Sequence, residues 1–154
     1  MVTVYAKNGG SSYNTPVKAF VCSTGKATPI GTFRTPAKYR WHELNGNVYG
    51  QWCTRIHSGV LFHSVYYYKY NNNMSLAVGQ YNKLGTKCSH GCVRLSAGDA
   101  KWVYDNCKLG TTVRVKKGCK NPFGKPTAYK LAKAHTWDPT DPNAYYKCRE
   151  RGCH

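Results

Sequence analysis

Residues 89–95 hold a thiol, an imidazole and a guanidinium within one short segment, which reads Ser-His-Gly-Cys-Val-Arg-Leu. A cysteine thiolate is a strong nucleophile, and a nearby histidine brings that form within reach at neutral pH. Gly91 lacks a Cβ, so the backbone before Cys92 can turn tightly and aim its N–H groups at a reacting carbonyl. Arg94 could bind a substrate carboxylate through two hydrogen bonds. The segment therefore predicts nucleophilic chemistry at a carbonyl group.

The Ser-His-Gly-Cys core, followed by an apolar residue and an arginine, resembles the active-site motif of the L,D-transpeptidases, the YkuD-type domains of bacterial cell walls. That motif needs an earlier histidine at the end of a strand, and Phe62-His63-Ser64 fits. In the family this histidine usually lies closer to the core motif than His63 does. We interpret the extra residues, which fall in 66–80, as a loop insertion. The resemblance covers residues 2–115.

The resemblance implies a role for each site residue. Cys92 attacks a peptide carbonyl and forms a thioester, while His63 deprotonates the thiol and later protonates the leaving amine. The backbone carbonyl of Ser64 orients the His63 ring. The backbone N–H groups of His90, Gly91 and Cys92 hold the oxyanion.

Other polar side chains near the motif have supporting roles. We expect His90 and Ser89 to brace the loop, with Ser89 also at the edge of the substrate site. For Arg94 two interpretations stay open, one in which it binds the substrate carboxylate and one in which it forms structural hydrogen bonds within the loop.

The resemblance also implies the substrate. The donor is a tetrapeptide stem of peptidoglycan, and transfer of its acyl group to the side-chain amine of another stem gives a 3→3 cross-link. With water as the acceptor, the same chemistry is an L,D-carboxypeptidase, and the sequence does not distinguish the two acceptors. A carbapenem β-lactam should acylate Cys92. No cofactor is implied.

Three other functions compete with this one. Cys88, His90 and Cys92 alternate, so on a strand they would share a face and, with His63, could bind zinc. We expect no metal there, because Cys-x-x-Cys spacing is absent and Gly91 is a poor strand residue. A basic nucleic-acid-binding module would show steeply salt-dependent binding. A wall-binding module without catalysis would not need Cys92.

Charge and composition limit the setting in which the chain works. With 154 residues the chain suits one domain, and 23 Lys plus Arg against 6 Asp plus Glu give a formal charge of +17. Such an excess predicts polyanionic surroundings, and the motif favours an anionic cell wall over nucleic acid. No apolar run is long enough to span a membrane, and no signal peptide follows Met1. We therefore expect an extracytoplasmic protein whose export segment is absent from this sequence.

The chain has eight cysteines, more than is typical of a cytosolic protein. If Cys92 stays a free thiol, an odd number remains, so at least one more is unpaired within the chain. The sequence does not reveal the disulfide pairs, and reduced, buried cysteines are the alternative. The cysteines are at positions 22, 53, 88, 92, 107, 119, 148 and 153.

The predicted fold is mostly β, an L,D-transpeptidase-like β-sandwich of mixed sheets with one short helix after the motif. Asn45-Gly46-Asn47 indicates a hairpin. Ser96 and Asp99 form a capping-box-like helix start, and Gly110 fits the helix end. Residues 1–116 form the catalytic domain, and 117–154 form an irregular extension packed on it. Strands are predicted at 2–5, 17–22, 37–44, 48–56, 60–64 and 111–115.

Residues 66–73 read Tyr-Tyr-Tyr-Lys-Tyr-Asn-Asn-Asn and lie within the extra residues between His63 and the motif. The run lacks the alternation of a core strand, and its asparagines favour an exposed turn. Tyrosines offer broad apolar faces with hydroxyl tips that suit a peptide and sugar substrate. We therefore predict a mobile lid over the site, with Tyr68 and Tyr70 in contact with the substrate.

Overall fold

A computed structural model describes residues 1–118 and 121–153. The fold is mostly β, with 34% of residues in strands against 14% in helices, and the strands form mixed sheets. The predicted fold class is therefore confirmed. The elements are β1 (Val2–Lys7), β2 (Tyr13–Phe20), β3 (Gly31–Arg34), β4 (Lys38–Leu44), β5 (Val48–His57), β6 (Val60–Ser64), α1 (Val78–Tyr81), β7 (Val93–Leu95), α2 (Ala97–Asn106), β8 (Thr112–Val115) and α3 (Tyr145–Arg151).

A four-stranded sheet in the order β4-β5-β6-β7 forms the centre of the molecule. The β4-β5 hairpin is confirmed, with Leu44 paired to Val48 across the predicted turn. Gly46 and Asn47 both have positive φ, 92° and 55°, as tight hairpin turns require. Strand β6 pairs antiparallel with β5 but parallel with β7, so the ends of β6 and β7 lie at the same edge.

The main core lies between this sheet and α2, which packs against β5, β6 and β7. Its members are fully or almost fully buried apolar side chains on the sheet, on α2 and at the end of β2. They include Phe20, Cys22, Trp52, Ile56, Phe62, Val93, Leu95, Ala100 and Val103. This packing fixes the strands that present the motif.

Helix α2 begins where the sequence predicts, because the Ser96 side chain accepts a hydrogen bond from the Asp99 N–H at 3.2 Å. It ends at Asn106, earlier than the predicted stop at Gly110. Cys107 is already extended, with φ −98° and ψ 103°, and Gly110 lies in the following turn.

Strand β2 runs from Tyr13 to Phe20, whereas the sequence predicts a strand at 17–22. The prediction missed its first half, because Pro16 argues against a strand. The structure accommodates Pro16 opposite Tyr5 at a register shift in the two-stranded β1-β2 sheet. A proline at an irregularity of an edge strand costs no ladder hydrogen bond.

The C-terminal extension is more ordered than the sequence predicts, since it contains α3 and a small core around Trp137. Asp138 Oδ2 accepts a hydrogen bond from the Ala97 N–H at 2.7 Å, and Thr140 Oγ1 accepts one from the Gly98 N–H at 2.8 Å. The extension thus caps α2 from outside. We propose that residues 117–154 belong to the same folding unit as residues 1–116.

The prediction of a mobile lid over residues 66–73 is wrong for Tyr67. Tyr67 is 0% exposed, and its N–H and carbonyl bond to Tyr49 at 2.7 and 2.9 Å. Its hydroxyl accepts a hydrogen bond from Gln51 Nε2 at 2.8 Å. A tyrosine can fill a core where its hydroxyl is satisfied, and the run of polar neighbours concealed this. Tyr68 and Tyr70 are exposed, at 60% and 62%.

All seven described cysteines are free thiols; Cys119 lies outside the described residues. Within residues 1–118 and 121–153, no helix has the length and apolar character needed to cross a bilayer.

Candidate active site

The parallel pairing of β6 with β7 brings the predicted histidine to the motif. His63 is in register with Arg94, and Cys92 directly precedes β7. Arg94 is therefore the residue of β7 that lies beside His63, and Cys92 lies two residues before it, at the start of the strand. On β5, Cys53 falls beside His63, one step from the Thr54–Phe62 pair. His63 is thus held by the sheet itself, which positions side chains more rigidly than a loop does, whereas Cys92 lies in the loop directly before β7.

His63 is 2% exposed, and its Nδ1 lies 2.5 Å from the Ser64 carbonyl oxygen. A carbonyl accepts only from a protonated nitrogen, so this contact assigns the proton to Nδ1 and leaves the Nε2 lone pair free. Burial lowers the pKa of His63 to about 4, although the hydrogen bond to the Ser64 carbonyl raises this pKa and offsets part of the effect. The imidazole is therefore neutral at pH 7 and can accept a proton.

Cys92 is partly buried, with Sγ 3.5 Å from the Gly59 carbonyl oxygen. Burial raises the pKa of the thiol above its ordinary value. A backbone hydrogen bond with Leu61 and the charges of Arg94 and Arg55 oppose this effect without reversing it. At neutral pH the site therefore holds a thiol and a neutral imidazole, so the thiol must be deprotonated as it attacks.

The nucleophile loop, residues 88–92, is held by a wall formed by residues 23–28. Arg94, just beyond the loop, exchanges two backbone hydrogen bonds with Ser23 at 2.9 and 3.0 Å. The Ala27 N–H donates to the His90 carbonyl at 3.0 Å, and the Thr28 hydroxyl donates to the Gly91 carbonyl at 2.8 Å. This wall was not predicted from the sequence, because residues 24–26 indicate only a break after a strand.

Gly25 lies so close to the nucleophile loop that a side chain has no room there. A Cβ on Gly25 would lie 2.1 Å from the Ser89 carbonyl oxygen and 2.5 Å from that of His90. A Cβ on Gly91 would lie 3.2 Å from the Ala27 carbonyl. The two glycines therefore allow the wall and the loop to touch through their backbones.

Within the loop, the Ser89 hydroxyl donates to the Cys92 carbonyl at 2.6 Å, which fits a bracing role. His90 is exposed. In the part of the chain that the structure describes, no acceptor takes a hydrogen bond from the backbone N–H groups of residues 90–92. These donors are available to an oxyanion.

Arg94 has protein partners on two sides. Its Nη1 donates to Gln80 Oε1 at 2.9 Å and lies 3.7 Å from Cys88 Sγ. Its guanidinium carbon lies 5.1 Å from the centre of the Tyr66 ring, in cation–π range. These contacts fix the position of the guanidinium, and its remaining N–H groups can still bind a carboxylate. Sequence reasoning missed Gln80, since a glutamine in the extra residues has no distinctive spacing.

Two further residues pack against His63 that the sequence did not indicate. A Cβ on Gly50 would lie 3.1 Å from His63 Nδ1 and 3.3 Å from Cys53 Sγ, so only glycine leaves the ring undisturbed. Burial raises the pKa of Cys53 to about 12, which makes this thiol unreactive.

The two tyrosines predicted to contact substrate lie in different places. The Tyr68 ring is 6.0 Å from that of Tyr66, which packs on Arg94. Tyr70 packs instead against Trp41 and Tyr49, on β4 and β5. The structure therefore brings Tyr68 towards Arg94 and Tyr70 to β4 and β5.

An open cleft of about 360 Å³ borders the outer side of the nucleophile loop. It is lined by Gly25, Lys26, Lys87, Cys88, Ser89 and His90. Its two lysines favour an anionic or carboxylate group.

The zinc alternative at Cys88, His90, Cys92 and His63 is not supported. Among the described residues, these side chains do not converge into a group that could hold an ion. The reason is that residues 88–92 lie before β7, with bends at 90–92, so the alternation of a strand does not bring Cys88 and His90 to one face.

The comparisons with known proteins agree with the motif. The model of the YkuD family, described as the L,D-transpeptidase catalytic domain, matches residues 1–115. That range contains His63 and Cys92 and ends before the C-terminal extension.

YciB of Bacillus subtilis (strain 168), named for L,D-transpeptidase activity, is 41% identical over 91 residues, covering 56% of this chain and 45% of that protein. L,D-transpeptidase 2 of Mycobacterium tuberculosis (strain CDC 1551 / Oshkosh) is 30% identical over 116 residues, covering 64% of this chain and 26% of that protein. The chain therefore spans less than half the length of these curated relatives. The solved LD-transpeptidase LdtMt1, in complex with imipenem, matches with TM-score 0.53 and 26% identity, covering 66% of this chain and 50% of that one.

Proposed function

Because the chain belongs to the YkuD family of L,D-transpeptidase catalytic domains, we propose that it forms 3→3 cross-links in peptidoglycan through a Cys92 thioester. The observation that supports this most is the bond between His63 Nδ1 and the Ser64 carbonyl. It turns a buried, neutral imidazole into an oriented base on β6, next to the strand that Cys92 directly precedes, and no carboxylate is needed.

The first half of the reaction breaks the donor peptide. As Cys92 Sγ attacks the carbonyl carbon, its proton moves to His63 Nε2, and the carbonyl oxygen becomes an oxyanion. The free N–H groups of residues 90–92 stabilise that charge. The C–N bond then breaks, the leaving amine takes the proton from His63, and the acyl group remains on sulfur as a thioester.

The second half transfers the acyl group. An acceptor amine attacks the thioester carbon and gives its proton to His63, and the thiolate leaves and recovers that proton. A thioester is already activated, so the exchange needs no nucleotide. With water as the acceptor, the product is a shortened stem and the enzyme acts as a carboxypeptidase.

The charge of the chain fits a wall substrate. A net charge of +17 attracts the protein to an anionic wall, and the lysines beside the nucleophile loop extend that field to the site. We propose that the protein acts outside the cytoplasm on stem peptides and that carbapenems acylate it.

The test is to incubate the protein with a tetrapeptide stem and an amine acceptor and to weigh the products. Cross-linked dimer supports the transpeptidase, whereas a tripeptide alone identifies a carboxypeptidase. Cys92→Ala should abolish both products, and His63→Ala should slow turnover by about 10²–10⁴-fold. His57→Ala is the matched control, since His57 is exposed at the end of β5. Product formation that survives in Cys92→Ala would contradict the proposal.

A further inference from the structure

Three metal-binding side chains meet in the C-terminal extension, away from the candidate active site. His135 precedes the buried Trp137, Cys148 lies on α3, and Cys153 follows that helix. One ligand atom from each lies within 4.8 Å of the others. Neither the family match, which ends at residue 115, nor the proposed acyl transfer explains this group.

The spacing suits a tetrahedral metal ion. With Zn–S about 2.3 Å and Zn–N about 2.0 Å, a tetrahedral site puts its nitrogen and sulfur ligands about 3.5 Å apart. His135 Nε2 lies 3.5 Å from Cys148 Sγ. Two sulfurs on zinc are separated by about 3.8 Å, so the separations of Cys153 Sγ from the other two ligand atoms, at most 4.8 Å, need to shorten by about 1.3 Å at most. Cys153 is exposed and can make that movement.

The neighbours of these ligands prepare them for a metal. His135 Nδ1 lies 2.8 Å from the Trp137 carbonyl, which assigns its proton to Nδ1 and leaves Nε2 free towards Cys148. In metal-binding histidines, the ring nitrogen that does not bind the metal commonly donates such a hydrogen bond, which orients the ring. The Trp137 indole N–H donates to Cys148 Sγ at 3.1 Å, which stabilises a thiolate. The Trp137 ring also stacks on His135 at 3.9 Å.

The end of α3 returns Cys153 to the group. Gly152 adopts the left-handed conformation, with φ 63° and ψ 39°. This turn allows the Cys153 N–H to donate to the Cys148 carbonyl at 3.1 Å, so the two thiols lie on the same side of the helix end.

We propose that His135, Cys148 and Cys153 bind one Zn²⁺ ion, with water as the fourth ligand. Two thiolates and an imidazole form a ligand set that favours zinc over calcium or magnesium. Binding releases the protons of both thiols and involves no change of oxidation state. The ion joins α3 to the segment that contains His135. Asp138, three residues after His135, caps the start of α2. The proposed ion therefore stabilises the extension, and the site is independent of the acyl-transfer proposal.

The experiment measures zinc by elemental analysis in the full chain, purified under reducing conditions without chelator. We expect about one zinc per chain in the wild type, and loss of most of it in Cys153→Ser and in His135→Gln. Cys107→Ser is the matched control and should retain the metal, because Cys107 lies at the end of α2. Cys92→Ala should also retain it, which separates this site from the active site.

A second measurement uses only the wild type and so does not depend on whether the variants fold. Cobalt is added to the reduced, metal-free wild type, and we expect thiolate-to-metal charge-transfer absorption that zinc then displaces. Three results would overturn the proposal: a Cys148–Cys153 disulfide in the protein as purified, no cobalt spectrum from the reduced chain, or equal loss of zinc in Cys107→Ser.

Discussion

The burial of His63 predicts an unusual dependence of acylation on pH. Burial lowers the pKa of this imidazole from 6.5 to about 4. At about 1.4 kcal/mol per pKa unit, the site opposes protonation of His63 by about 3 kcal/mol. At pH 5, a histidine with a pKa of about 4 is about 90% neutral, whereas an ordinary histidine is only about 3% neutral. If His63 is the base, lowering the pH from 7 to 5 should slow acylation of Cys92 by less than about twofold.

The assay follows the rate of carbapenem adduct formation by quenched intact-mass analysis between pH 4 and 8. His57→Ala should give the same profile, since its ring is exposed and stacks on Phe33. An acid limb centred near pH 6.5, with a loss of about 25-fold by pH 5, would refute the conclusion that burial keeps the base neutral.

The pH dependence of protein stability reveals the pKa of His63 less clearly than the acylation rate does. The unfolded chain protonates His63 first, so this residue lowers the free energy of unfolding as the pH falls from 6.5 towards 4. Asp138 acts in the opposite direction, because burial raises its pKa from 3.8 to about 6 and the folded state holds its proton more tightly. The two effects overlap in pH, so the rate of acylation is the cleaner measurement.

Three substitutions test how the site is supported. Gly25→Ala should lower the carbapenem acylation rate at least tenfold, because its methyl would lie 2.1 Å from a carbonyl of the nucleophile loop, whereas Gly10→Ala, in open space, should not change it. Asp138→Ala should lower the free energy of unfolding by about 2–3 kcal/mol in urea titrations, because it leaves the buried Ala97 N–H unpaired and removes a second bond from the Thr140 N–H. Asp105→Ala, which removes only an exposed helix ion pair, should change that energy by less than about 0.5 kcal/mol. Tyr67→Ala should lower the free energy of unfolding by about 3–5 kcal/mol in the same titration, because Tyr67 is a core residue. A loss below about 1 kcal/mol would support the interpretation of this segment as a lid.

The sequence predicted those parts of the site that depend on local pattern. Strand β6 has the predicted bounds, because its apolar run and the turn before it are unambiguous. The Ser96 cap and the Asn-Gly hairpin were also predicted correctly, since both depend on residues next to each other in the chain. The Ser-His-Gly-Cys motif predicts Cys92 as the nucleophile, and Phe62-His63-Ser64 at a strand end predicts His63 as the base.

The sequence did not predict the contacts that join distant segments. Gly25 faces the nucleophile loop and Gly50 faces His63, but a glycine needed for close approach looks like any turn glycine in one sequence. The hydrogen bond between Asp138 and Ala97 joins residues that are 41 positions apart, and no pattern in the sequence predicts it. Tyr67 was assigned to a lid because its polar neighbours concealed a buried ring.

The most direct test of the account is to identify the residue that a carbapenem acylates. All seven described cysteines are free thiols, so the adduct must be located by peptide mapping after intact-mass analysis. The account predicts one adduct on Cys92, absent in Cys92→Ala, with Cys53 unmodified because it is buried and its pKa is raised to about 12. An adduct that persists in Cys92→Ala, or that maps to another cysteine in the wild type, would contradict the account.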